Sequence, residues 1–207
     1  MSKNTEIEAK TLLTKEVYQK LCAAFPVKSD FVQANYYFDT PNSLLKRHQI
    51  SCRVRLFTDH AEQTLKVPHS KLVQHDFHEA VEINDDLKLA AAQKFVQQAE
   101  EETVVTFNGN VEQYLRDNFG PQLDLHLQTF SKTHRILAVG PENCELTLDA
   151  TTYPDSYEDY ELEIENSNPT LIKKVLISLE NSYNFKQTKT NTNQPKIARA
   201  FSHCVRM

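Results

Sequence analysis

Glu6-Ile7-Glu8-Ala9-Lys10 carries charged residues at strict i, i+2, i+4 spacing with small or apolar residues between them. In a β-strand alternate side chains point to the same face, so Glu6, Glu8 and Lys10 project together and Ile7 and Ala9 project to the other side. The pattern returns in Arg53-Val54-Arg55 and in Glu161-Leu162-Glu163-Ile164-Glu165. Ordinary strands turn the apolar face to the core and scatter mixed polar residues toward water. Here one face collects acids at two places and bases at a third, as in a sheet closed around a charged interior. Taken singly, each run also fits a solvated strand face. The three together, each inside a β-rich run, favour the charged interior.

Composition narrows the classes. The chain has 207 residues, 40% hydrophobic and 25% charged, enough to bury a substantial core in one domain spanning 1–207. The net charge of −5 gives no global basic field for nucleic acid or an acidic membrane, so an anionic ligand must be gripped by a local basic cluster. No apolar run reaches the roughly 18–20 residues of a membrane helix, and Met1-Ser2-Lys3-Asn4-Thr5 has no apolar signal region, so a soluble, cytoplasmic protein is expected. Cys22, Cys52, Cys144 and Cys204 are scattered with no CxxC pair, which argues against a disulfide framework or a zinc site and fits a reducing compartment. Three glycines, Gly109, Gly120 and Gly140, are too few and too dispersed for a P-loop or a dinucleotide fingerprint, so phosphate must be held by side chains.

Periodicity gives the elements. Thr5–Leu13 reads as a strand, and Thr14 caps a helix through Ala24 with Tyr18, Leu21, Cys22 and Phe25 on one stripe. Phe31–Phe38 is a strand, followed by a turn at Asp39-Thr40-Pro41-Asn42 and a helical turn over Leu44–His48. Gln49–Asp59 and Ala61–Val67 form a hairpin, and Phe77–Ile83 is a further strand. Helices are expected from Asp86 to Glu102 and from Val111 to Phe119. Strands return at Leu123–Thr129, Thr133–Val139, Glu145–Ala150 and Tyr160–Glu165. Asn168-Pro169 starts a helix to Tyr183, with the proline at its first position. A last helix runs from Pro195 to Val205. The fold class is α+β, with about eight antiparallel strands.

The strand charges form two sets. The acids are Glu6, Glu8, Asp149, Glu161 and Glu163, with Glu165 at the strand end and either Glu79 or Glu82. Glu79 shares parity with Phe77 and Val81, whereas Glu82 shares parity with His78 and Ala80, which favours Glu82's face as the polar one. The bases are Lys10, Arg53, Arg55, Lys66, Arg135 and Lys196; Lys196 and Arg199 also fit ion pairs on the outside of the last helix. Carboxylate oxygens are the hard ligands that Mg²⁺ and Mn²⁺ prefer. Arginine forks grip phosphate oxygens in pairs and lysine adds point charge. Acids with nearby bases are therefore a kit for a divalent cation and a polyphosphate.

The same residues carry a family resemblance. Glu6-x-Glu8-x-Lys10 is similar to the ExExK signature of the CYTH superfamily, the triphosphate tunnel metalloenzymes. In order follow Asn35-Tyr36-Tyr37-Phe38-Asp39-Thr40-Pro41, Arg53-x-Arg55, Thr64-Leu65-Lys66, Arg135, Leu148-Asp149, Glu161-x-Glu163-x-Glu165 and Pro195-Lys196-x-x-Arg199-Ala200-Phe201, each resembling a segment of that family. The resemblance implies a closed antiparallel β-barrel, a tunnel, with helices packed outside. It implies a metal-dependent triphosphatase acting on a small-molecule triphosphate, with Mg²⁺ or Mn²⁺ as cofactor; the net charge of −5 separately gives the expectation of no nucleic-acid or membrane partner. Glu6, Glu8, Glu79 or Glu82, Asp149, Glu161 and Glu163 would hold the metal. Lys10, Arg53, Arg55, Lys66, Arg135 and Lys196 would bind substrate, with Glu6, Glu8, Lys10, Glu161 and Glu163 closest to the chemistry. Adenylate cyclisation is the alternative, but that class usually carries a His-Phe pair shortly before ExExK, which has no counterpart ahead of Glu6. A non-catalytic polyphosphate-binding module is a further alternative, which the full acidic set disfavours.

Overall fold

A computed structural model describes residues 3–68, 78–101, 104–192 and 194–204, with side chains throughout these ranges except at 3–6, 78 and 79. The strands are β1 (Lys3–Leu13), β2 (Val27–Asp39), β3 (Ser51–Leu56), β4 (Ala61–Pro68), β5 (His78–Leu87), β6 (His126–Val139), β7 (Glu145–Thr152) and β8 (Glu158–Glu165). They form one curled antiparallel sheet in the order β1-β5-β4-β3-β2-β6-β7-β8, and β1 also pairs with β8, so the hydrogen-bond ladder returns on itself. The closure depends on β1 serving both edges. Its first half, through Glu8, pairs with β5, and its second half, from Glu8 onward, pairs with β8.

The described residues also form six α-helices: α1 (Lys15–Ala24), α2 (Leu44–Arg47), α3 (Leu89–Glu101), α4 (Gly109–Phe119), α5 (Pro169–Tyr183) and α6 (Lys196–Ser202). Thr14 caps α1 by accepting from the Val17 amide, and Asn168 caps α5 from Thr170 with Pro169 next in line. Asp39 accepts from the amides of Thr40, Leu45 and Lys46, which ties the end of β2 to α2.

Two apolar clusters lie on the outer face of the sheet. One packs Cys52, Val54, Leu65 and Ile83 of β3–β5 against Val96 of α3 and Val111 and Leu115 of α4. The other packs Ala9, Leu146, Leu148, Leu162 and Ile164 of β1, β7 and β8 against Leu21 of α1 and Ile172, Val175 and Leu179 of α5. Each fully buried Leu or Ile contributes about 1.5–3 kcal/mol. With the apolar parity of β1, β3–β5, β7 and β8 packed outward under helices, the charged parity of those strands turns to the interior.

Several boundaries differ from the sequence reading. The two strands expected at Leu123–Thr129 and Thr133–Val139 are one, β6, because β2 also extends back to Val27 and pairs with it nearly along its full length. β5 continues to Leu87 and α3 starts at Leu89, not Asp86; Asp85 and Asp86 stand opposite Gln63 and Glu62 of β4. Asp85 accepts from the amides of Asn110 and Val111 and so caps α4 from a distant strand. This contact is where α4 approaches the sheet closely: a Cβ on Gly109, whose φ is +65°, would fall 2.8 Å from the Asp85 carboxylate. Phe77 and Val205 lie outside the described residues.

Candidate metal and polyphosphate site

Cross-strand register brings the acidic set together. Lys10 on β1 stands opposite Glu163 on β8, Glu161 opposite Asp149 on β7, and Asp149 opposite Arg135 on β6. Directly opposed residues on one face are in contact range, so four consecutive strands place these charges side by side. Asp149, Glu161 and Glu163 are all buried, and each offers an oxygen within 4.8 Å of the others. Three carboxylates so close in a poorly solvated interior repel one another and need cations. Arg135 supplies a bidentate pair to Asp149, at 2.8 and 2.6 Å, and reaches Glu163 at 3.4 Å. Lys10 pairs with Glu163 and lies 3.1 Å from Glu8. Lys196, from α6, pairs with Asp149 and lies 3.0 Å from Glu161.

The electrostatics follow from these contacts. Burial disfavours ionisation of Asp149, but Arg135 and Lys196 overcome it and hold the carboxyl below its ordinary range. Glu163 is lowered further, burial again being outweighed by Lys10, Arg135 and Lys196. At Glu8 burial and Glu163 push upward while Lys10 and Lys66 pull down, with a net lowering. Burial likewise works against the charged forms of Lys10 and Lys196, yet their acidic neighbours raise both.

The basic set occupies the neighbouring wall. Arg53 and Arg55 lie on β3, opposite Thr64 and Glu62 of β4, and Lys66 is opposite Glu82 of β5. Lys66 is 3.1 Å from Glu8 and 3.7 Å from Glu82, and Arg53 is 3.6 Å from Glu82. Arg55 donates to Asn35 at 2.8 Å and lies 3.0 Å from Glu62. Burial and the neighbouring Arg53 push its guanidinium down to about 10, because Glu62 and Glu82 offset them only in part. Arg55 keeps its proton at neutral pH, but it sits in a surplus of positive charge that an anion would relieve.

The sequence-derived residues thus fall into one interior with few exceptions. Glu82 is engaged with Arg53 and Lys66; the Glu79 backbone stands opposite Ile7, and its side chain is outside the described set. The Glu6 side chain is also outside that set, and its backbone stands opposite Ala80. Lys196 and Arg199 are not on the outside of α6. Arg199 is 6% exposed and reaches Glu161 and Asp159, each at 2.7 Å, and the Tyr153 hydroxyl at 3.0 Å. Sequence reasoning assigned no role to Tyr153 or Asp159. Asp159 shares inward parity with Glu161 and Glu163 on β8, which was the available signal. Gln33, Asn35, Thr133 and Thr151 form a buried neutral wall beside the charges, with Thr133 and Thr151 hydrogen-bonded at 3.0 Å; of these, Asn35 alone belongs to a segment that the sequence singled out.

Comparison with known proteins agrees with this arrangement. The CYTH domain profile matches residues 4–194. YjbK of Bacillus subtilis (strain 168), named as a candidate triphosphatase, is 37% identical over 70 residues, a match that spans 33% of this chain and only 37% of that relative's length. A Bacillus halodurans structure described as a candidate adenylate cyclase is 27% identical with a TM-score of 0.78, covering 97% of this chain and all of its own. HpAC1 from Hippeastrum, described as having a dominant triphosphatase activity, is 21% identical with a TM-score of 0.77 and covers 95% of each chain. With a profile match over nearly its whole length and the matching residues gathered on one interior face, the chain belongs to the CYTH domain family.

Proposed function

We propose that the protein is a divalent-metal-dependent phosphohydrolase acting on a small triphosphate, with the barrel interior as a substrate tunnel. The observation that carries this reading is the trio of buried acids Asp149, Glu161 and Glu163 set against a run of half-buried bases. A purely anion-binding interior would gain from fewer acids. A purely structural ion-pair network would not leave Arg55 in a positive surplus.

The three buried acids, with Glu8 and Glu82 beside them and Glu6 and Glu79 as further candidates on β1 and β5, form an all-oxygen donor set suited to Mg²⁺ or Mn²⁺. A bound cation there would neutralise charge on the phosphate oxygens. Lys10, Arg53, Arg55, Lys66, Arg135 and Lys196 hold the phosphate chain extended, the arginines as forks and the lysines as point charges. Water attacks the terminal phosphorus in line and loses a proton, the bond from that phosphorus to the bridging oxygen breaks, and orthophosphate and the diphosphate leave. A loose phosphoryl-transfer transition state asks little of a general base, which suits carboxylates held below their ordinary range.

The test is product analysis with inorganic triphosphate and ATP, in Mg²⁺, in Mn²⁺ and in chelator. Metal-dependent release of orthophosphate is expected. Pyrophosphate with cyclic AMP from ATP would make the protein a cyclase, and binding without turnover would make it a binding module.

A further inference from the structure

The two ends of the barrel are built differently. β3 and β6 run parallel to each other, as do β2 and β7, because each neighbouring pair in the order β3-β2-β6-β7 is antiparallel. The β3–β4 hairpin, residues 57–60, is therefore at the opposite end from the β7–β8 hairpin, residues 153–157. The latter end is covered by α6. Ala200 and Ile197 pack on Tyr37 and Tyr153, and His203 stacks on Tyr157 at 4.1 Å and pairs with Asp155 at 2.8 Å.

The other end carries a different set of rings. Phe57 continues the inward parity of Arg53 and Arg55, and the Arg55 guanidinium lies over its ring at 5.8 Å. His60 stacks on Phe57 with ring centres 4.1 Å apart and planes 11° from parallel. The turn fixes this pair, since the Phe57 amide donates to the His60 carbonyl at 2.9 Å and the His60 ring contacts the Asp59 carboxylate at 2.6 Å. Phe31 on β2 lies 5.8 Å from Phe57 and stands opposite Arg135 in register. The His60 side chain is 57% exposed, so the stack ends in an accessible aromatic face above two interior arginines.

We propose that Phe57 and His60 are a stacking platform for the organic group of a triphosphate ester, and that this group is a flat heteroaromatic ring. This rests on the triphosphate reading above and names its substrate class. The phosphate chain enters between Arg55 and Arg135, and a ring attached to it by a short linker meets the open face of His60. Every base or similar heterocycle has a π-face, so such a platform selects for a ring without fixing which one.

The experiment measures binding of ATP and of methyl triphosphate, an ester of similar charge without a ring, by calorimetry in chelator. Wild type is compared with His60→Ala and Phe57→Leu, and phosphate release is assayed separately after adding Mn²⁺. Wild type should bind ATP about tenfold tighter than methyl triphosphate, and that ratio should fall toward one in both variants. Equal affinity for the two esters in wild type, or a ratio that survives both substitutions, overturns the platform. Discrimination without phosphate release would sustain the platform and remove the hydrolase reading. Phosphate release without discrimination would do the reverse. Binding of neither ester in chelator would overturn the platform, and absence of phosphate release after Mn²⁺ would remove the hydrolase reading.

Discussion

Lys196→Met should move stability and metal affinity in opposite directions. The ammonium of Lys196 pairs with Asp149 and lies 3.0 Å from Glu161, and its side chain is 14% exposed. It therefore stands against two of the three acids proposed to hold a cation. Methionine keeps the length and apolar stem and removes only the charge. At 3.0 Å and an effective dielectric of about 20, a single such pair is about 5 kcal/mol before desolvation. Breaking a buried pair from one side typically costs about 3–5 kcal/mol; Asp149 keeps Arg135 and Glu161 keeps Arg199, which puts this loss at the lower end, about 3 kcal/mol. For a chain of this size about 2–4 °C accompanies each kcal/mol, so the unfolding temperature in chelator should fall by about 10 °C. A divalent ion meets one competing charge fewer in the variant, and Mn²⁺ affinity should rise about ten- to hundredfold, or about 1.4–2.8 kcal/mol. The assay is thermal unfolding with and without Mn²⁺, backed by calorimetric titration. An unchanged unfolding temperature in chelator, or a Mn²⁺-induced gain no larger than in wild type, would show that Lys196 does not occupy the cation's place.

Arg55→Ala should weaken triphosphate binding about ten- to hundredfold, the loss of about 1.5–3 kcal/mol expected for a charge-assisted contact, with partial rescue in Arg55→Lys; unlike Lys196→Met it should leave the unfolding temperature unchanged or raised, because burial and Arg53 already disfavour the charged form, and calorimetry beside thermal unfolding separates the two effects. Glu8→Gln should abolish metal-dependent phosphate release while costing only about 1–3 kcal/mol in stability, since the amide keeps an acceptor for Lys10 and Lys66; near-normal release would place Glu8 outside the chemistry. Arg199→Ala should destabilise by about 3–5 kcal/mol and Arg199→Lys by less, because lysine restores the charge beside Glu161 and Asp159 but not the fork; equal unfolding temperatures for the two variants would count against it. Acid should unfold the protein early. Glu8, Asp149 and Glu163 are depressed in the fold, so below the ordinary carboxylate range, about pH 4, the unfolded chain binds more protons than the native one, and stability is lost progressively as pH falls through the depressed values. A flat unfolding temperature across that range would refute the pairing.

Strand parity was legible in the sequence because a two-residue period needs no tertiary information. Once Leu162, Ile164, Val54 and Ala9 are assigned to a buried outer face, Glu161, Glu163, Arg53, Arg55, Glu8 and Lys10 can only share the opposite one. Motif order then supplied the family and almost the whole list of charges. Register was not legible. Whether Glu163 meets Lys10 or Arg135, and whether Asp149 meets Glu161, depends on pairings between strands separated by up to about 150 residues, which no local pattern encodes. That Glu82 stands opposite Lys66 was not legible for the same reason. The last helix shows the limit most clearly. Its sequence fits a solvated surface helix as well as an inserted one, and only packing of Ala200 against Tyr37 and Tyr153 turns Lys196 and Arg199 inward onto the acids. A strand's own alternation says which residues share a face; which charges neutralise one another is fixed by distances across the barrel, and those exist only once the sheet has curled and its ladder has joined.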